Sequence, residues 1–254
     1  MSARRRPRRS ADTHVPAHGD VPEYTLRLSD RAKRVRLKIT PREGLVVVVP
    51  RNMRGFDPSI ALRERRDWIE DAGARVAERR TALLAGADAL LPDAIEFPAT
   101  GERWHVEYRS SAAASVSARA NAGVLVVRGA VEDGEACLAA LQRWLQRAAG
   151  ERLLPLLADE SERTGLAYRR ASVRGQRSRW GSCSSAGTIT LNRCLVFLPP
   201  ELVRSIVLHE LAHLKHHDHS KRFWRFLEAL DPRAHEHRRA TNHAWNAVPP
   251  WAEP

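Results

Sequence analysis

HELAHLKHHDHS, residues 209–220, gathers five of the chain's eleven histidines within eleven positions. Residues four apart on a helix project from one face, so His209 and His213 aim two imidazoles at one point. Glu210 sits on the next row, about 100° round a helix of 3.6 residues per turn. It is therefore offset from the ligands and placed to take a proton from a water held at the same point. This is the HExxH pattern of zinc chemistry. Hydrolytic zinc takes three protein ligands and keeps one position open. His219, six residues beyond His213, supplies the third at the second-to-third spacing of metzincin motifs. Those motifs carry glycine where this chain has His216. His and Asp tolerate positive φ better than most residues, so residues 216–218 are expected to turn the chain back after the helix ends near Lys215 or His216. His216 and His217 read as turn residues, since three ligands suffice.

Upstream, Pro199-Pro200-Glu201 opens the helix, prolines being tolerated in a first turn and an acid there complementing the helix dipole. Val203, Ile206, Val207, Leu211 and Leu214 form its buried stripe. Before it, TITLN (188–192) alternates, with Ile189 and Leu191 on one face and Thr188, Thr190 and Asn192 on the other. This strand is expected to bind an extended peptide by strand addition. Arg177 and Arg179 share a face of an extended segment. They read as binding an anionic substrate group or an oxyanion, or as pairing structurally with acids. Asn192 reads as orienting a cleft loop or a substrate backbone. Trp180 reads as packing, Gly181 as a turn or close backbone approach, and Cys183 as a structural thiol. Downstream, Ser220 should cap a helix from Lys221, with Phe223, Trp224 and Phe226 packing beneath the site.

RSRWGSCS, TITLN and LPPELVRSIVLHELAHLKHHDHSKRFW together resemble the YgjP-like metallopeptidase domain, a family related to the SprT-like and WLM zincins. The resemblance covers about residues 24–245 and is strongest over 174–230. It implies a zincin-type peptidase acting on peptide or protein substrates, with His209, His213 and His219 as zinc ligands and Glu210 as general base.

The rest of the chain reads as α+β. Residues 24–28, 35–39 and 45–49 are short strands of an antiparallel sheet, the last a β-branched run stopped by Pro50. Asp57-Pro58 starts a long helix to about Leu84, with Ile60, Trp68, Ile69, Val76 and Leu83 as buried positions. Residues 87–98 read as a loop, then 103–109 and 115–128 as more antiparallel strand, the latter a hairpin about Asn121-Ala122-Gly123. Residues 132–164 read as helical, with Gly150 and Pro155 speaking against one continuous helix and Gly165 as the stop. No internal repeat is legible. The expected organisation is a disordered basic tail over 1–21, a β-rich region with long helices over 22–165, a compact zincin-like domain over 166–246 and a C-terminal tail over 247–254.

A formal charge of +12 favours anionic partners, and residues 4–9 add an arginine-rich tail. Two further functions therefore stand beside the zinc metallopeptidase. One is a zinc-dependent nucleotide or phosphate-ester hydrolase, supported by Arg169, Arg170 and Arg174 upstream of Arg177 and Arg179. The other is a nucleic-acid-binding module with a structural zinc. Three widely spaced cysteines give no disulfide framework and point to a reducing, cytoplasmic setting. No run approaches the roughly 18 apolar residues of a membrane span.

Overall fold

The computed structural model describes residues 12–40, 44–53, 55–84, 90–113 and 115–253. The arginine-rich run at 4–9 and the side chain of Leu83 lie outside the described residues. The chain divides into two units, residues 1–84 and 85–254.

In the first unit, β1 (Asp12–Val15), β2 (Tyr24–Ser29), β3 (Arg36–Thr40) and β4 (Gly44–Pro50) form one sheet in the order β1-β2-β4-β3. The valine run of β4 lies inside it and is buried on both faces. Val47 and Val49 pack with Tyr24, Leu62 and Ile69, while Val46 and Val48 pack with Ala32. A continuous apolar run suits a strand covered on both sides. The sequence suggested antiparallel pairing throughout, but β2 and β4 pair in parallel. Residues 12–21, read as tail, carry β1 and a buried Val21. Arg27 also clamps Asp12, at 2.6 Å. The edge strand DTHV half-buries only Val15, so hydrophobicity could not announce it. Asp57 caps α1 (Pro58–Arg63) by accepting the Ser59 N–H, and α2 follows over Arg66–Leu84. The expected single helix is thus two, and Ile60 is exposed.

The second unit begins with the same topology. β5 (Ala94–Phe97), β6 (Glu102–Ser110), β7 (Ser117–Asn121) and β8 (Val124–Gly129) take the order β5-β6-β8-β7, again with the second and fourth strands parallel. Residues 94–97, expected in a loop, supply β5. Ala122 and Gly123 turn the β7–β8 hairpin with positive φ. Asp133 caps α3 (Gly134–Thr164) as Asp57 caps α1. Each aspartate stands eleven residues before a tryptophan, giving Trp68-Ile69-x-x-Ala72 and Trp144-Leu145-x-x-Ala148. The fold therefore contains a repeated four-strand-plus-helix topology, carried by strand pairing and little by residue identity.

α3 runs unbroken for 31 residues through Gly150 and Pro155. Its buried positions include Leu141, Leu145, Leu153 and Leu157, and packing on this scale offsets the hydrogen bond that proline removes. Gly165 ends it at φ 67°. The sequence suggested a boundary at 165/166, yet α3 joins both sides. Phe97, Trp104 and Leu145 share one core with Leu191, Leu195 and Val207. The C-terminal stretch is also packed rather than loose, with Trp251 and Ala252 buried. Gln142 and Arg193 donate to the carbonyls of Trp251 and Ala252 respectively.

Beyond α3, β9 (Arg170–Arg174), β10 (Gly181–Cys183) and β11 (Thr188–Asn192) form a sheet in the order β10-β11-β9. A 3-10 turn (Arg193–Phe197) leads to α4 (Pro200–Ala212), α5 (Lys221–Leu230) and α6 (Ala234–Thr241). Among the described residues no helix is long and apolar enough to cross a membrane.

Candidate metal centre

α4 buries Val203, Ile206, Val207, Leu208 and Leu211. That stripe fixes the rotation of the helix and turns His209 to the opposite side. His213 closes α4 with αR backbone, so the i, i+4 pair keeps helical geometry. The chain then reverses through 214–219 with no positive φ at 216–218; the expected left-handed turn is not needed. Ser220 caps α5, its hydroxyl accepting the Phe223 N–H.

His209 Nε2 lies 3.2 Å from His213 Nε2 and 3.1 Å from His219 Nε2. All three ligand nitrogens lie within 4.8 Å of one another. Tetrahedral zinc with Zn–N bonds of about 2.0–2.1 Å puts ligand nitrogens about 3.3 Å apart, so the donor set and spacing fit such an ion. The His213 Nδ1 contacts the His216 carbonyl at 2.9 Å. Donation there leaves Nε2 as the lone-pair atom facing the cluster. His216 thus contributes its backbone, while its ring packs on Phe226. Neither His216 nor His217 joins the cluster. The fully buried Phe223 ring lies beneath all three imidazoles, with centroids 4.6–4.9 Å away. Burial, and then the neighbouring charges of His213, His219 and Arg238, push His209 down to about 3. It is therefore neutral at pH 7, as a ligand must be.

Glu210 is 6% exposed, and burial pushes it up to about 8, opposed by the Arg179 guanidinium. The carboxylate lies against Gly181. A Cβ on that glycine would come within 2.7 Å of both Cγ and Oε1 of Glu210. The expected close approach at Gly181 is therefore to this carboxylate. Gly181→Ala is expected to displace Glu210 and lower hydrolytic kcat/KM about 100-fold without changing metal content. Assaying both quantities on one preparation checks this.

Arg177 and Arg179 are exposed on the loop before β10. Asn192 does not face open solvent. It is fully buried, and its amide donates to the carbonyls of Gln176 and Arg179, both at 2.7 Å. Its Oδ1 accepts the Cys194 N–H. Of its two expected roles, orienting a cleft loop is the one its contacts serve. Asn192→Ala would leave these buried groups unpaired and is expected to destabilise the protein by about 2–4 kcal/mol, measured by denaturant unfolding. β11 is the middle strand of its sheet, with both edges taken, so strand addition there is excluded. Among the described residues, the edge beside Glu210 that pairs with no other strand belongs to β10.

Trp180 stacks on Trp245 at 4.2 Å and donates its indole N–H to the Thr241 carbonyl. Cys183 is half-buried, with its thiol pushed up by burial and by Glu210. Sequence reasoning missed a buried polar knot beneath the site. Ser205 Oγ donates to Asp231 Oδ2 at 2.6 Å, and His237 Nδ1 reaches the same oxygen at 2.8 Å. The three residues come from α4, the α5–α6 junction and α6, and no local spacing links them.

Three imidazoles that could hold a metal ion converge beside a buried carboxylate, with His209 and Glu210 on α4, His213 at its end and His219 beyond it. The model of the YgjP-like metallopeptidase domain matches residues 33–244, and the chain belongs to that family. The chain is also similar to the metallopeptidase zymogen abylysin of Pyrococcus abyssi, with 32% identity over 36% of this chain and 93% of that one at a TM-score of 0.33. For the zymogen jannalysin of Methanocaldococcus jannaschii the identity is 19%, over 37% and 96%, at a TM-score of 0.33. Comparison with curated proteins found no match.

Proposed function

We propose that this metallopeptidase is a zinc enzyme that hydrolyses peptide bonds, with His209, His213 and His219 holding the metal and Glu210 as general base. The observation that carries the reading is the convergence of the three Nε2 atoms beside the buried Glu210. Zinc bound there supplies a Lewis acid that polarises a carbonyl and acidifies water. Glu210 takes the proton of the attacking water and hands it to the leaving amine. Burial makes its carboxylate a stronger base than one in solvent. The Arg179 guanidinium opposes that upward push, and a zinc ion held by the three histidines would favour the ionised carboxylate further. Asn192 acts at one remove, holding the loop that carries Arg177 and Arg179. The edge of β10 offers the backbone groups against which an extended substrate would lie.

The test uses protein purified without added metal. Metal analysis is expected to find about one zinc per chain. Peptide hydrolysis should vanish with a chelator and return with zinc. Turnover of nucleotides or phosphodiesters, with no peptide cleaved, would overturn the reading.

A further inference from the structure

A cavity of about 190 Å³ opens beside His209 and Glu210, with Trp180, Ile206, Trp224 and Leu227 among its walls. Among the described residues, Arg238 on α6 is the only lysine or arginine in the lining. Its guanidinium sits over the Trp224 ring, 4.6 Å from the centroid.

The acids nearest to Arg238 in sequence are engaged elsewhere. Glu236 pairs with Arg233, Glu228 with His235, and Asp231 with Ser205 and His237. No carboxylate among the described residues pairs with Arg238. Its backbone is nevertheless anchored. The preceding residue, His237, is buried in the Ser205–Asp231 knot, and Ser205 lies one turn before His209 on α4. The knot thus ties α6 to α4, and the guanidinium lies over the Trp224 ring.

Arg238 is exposed, so its guanidinium is hydrated in the free protein. A neutral substrate side chain laid against it would displace part of that water and offer no charge in exchange. A carboxylate would meet it, and the planar fork of arginine matches a carboxylate in two parallel hydrogen bonds.

We propose that Arg238 binds a carboxylate of the substrate, on a residue next to the scissile bond. The proposal rests on the peptidase reading of the same site. That carboxylate has two sources, an Asp or Glu side chain or the C-terminus of the substrate chain.

The test measures binding and hydrolysis separately, on the full chain loaded with zinc. Glu210→Gln protein is titrated with peptide pairs that differ by Glu against Gln at each position flanking the bond, and by free acid against amide at the C-terminus. At least one pair is expected to favour the carboxylate by about 10-fold or more, and the favoured pair identifies the source. Adding Arg238→Gln should bring that ratio to about one, whereas Arg238→Lys should keep its sign. Equal binding of every pair would overturn the proposal. So would a preference that survives Arg238→Gln, as a carboxylate ligating the zinc would show.

The kcat/KM ratios of the same pairs, for wild type and Arg238→Gln, give a second reading. Arg238-dependent binding with no hydrolysis of any peptide would retire the peptidase reading and leave the carboxylate site standing. Hydrolysis with no such preference would do the reverse.

Discussion

Glu210→Gln is expected to fold, to hold zinc at the wild-type level, and to lose about 10²–10⁴-fold in kcat/KM for peptide hydrolysis. The amide matches the carboxylate in size, so it fits the space left by Gly181, where a Cβ would lie only 2.7 Å from Glu210 Cγ. The imidazoles are untouched, since no contact in the His209–His213–His219 cluster runs through Glu210. The change removes the carboxylate proposed to accept the proton. Zinc content, circular dichroism and steady-state kinetics on one preparation isolate that loss. A folded, zinc-loaded variant with undiminished turnover would remove Glu210 from the mechanism.

His209→Ala is expected to abolish both stoichiometric zinc binding and hydrolysis. His209 is the hub of the cluster, since both short Nε2–Nε2 contacts end on it. With two ligands left, of which His219 is the more exposed, an open tetrahedral site has too few donors. The loss should also appear as lost metal-linked stability. A ligand at 1,000 times its Kd stabilises the folded state by about 4 kcal/mol. Wild-type Tm should therefore fall when a chelator is added, while the variant's Tm should not respond. A variant that kept one zinc per chain would move the metal off His209.

The readings that held rest on neighbours in sequence. His209, Glu210 and His213 lie within one turn and a half of helix, and helical geometry alone decides which way they point. Ser220 and Asp57 act as caps because a short polar side chain meets an N–H two or three residues on. The β-branched run at 45–49 was legible as a strand, and β4 contains it. The readings that changed depended on what lies across the fold. TITLN was legible as a strand, but its place between β10 and β9 was not, because strand order is set by partners far away in sequence. Pro155 argued for a break in α3 that the surrounding core overrides. The repeated sheet topology was invisible because pairing register, rather than residue identity, carries it.

The sequence by itself determined which imidazoles converge, which carboxylate stands beside them, and that the helix beneath is amphipathic. All of these are properties of a few consecutive turns, where backbone geometry leaves little freedom. Only the tertiary structure decided what surrounds that centre. It brought Gly181 against Glu210, buried Asn192 as the anchor of a loop, tied Ser205 to Asp231 and His237, and left Arg238 lining the cavity with no carboxylate among the described residues paired to it. Those contacts join separate helices and strands, and packing of the shared core, rather than any local spacing, brings them together.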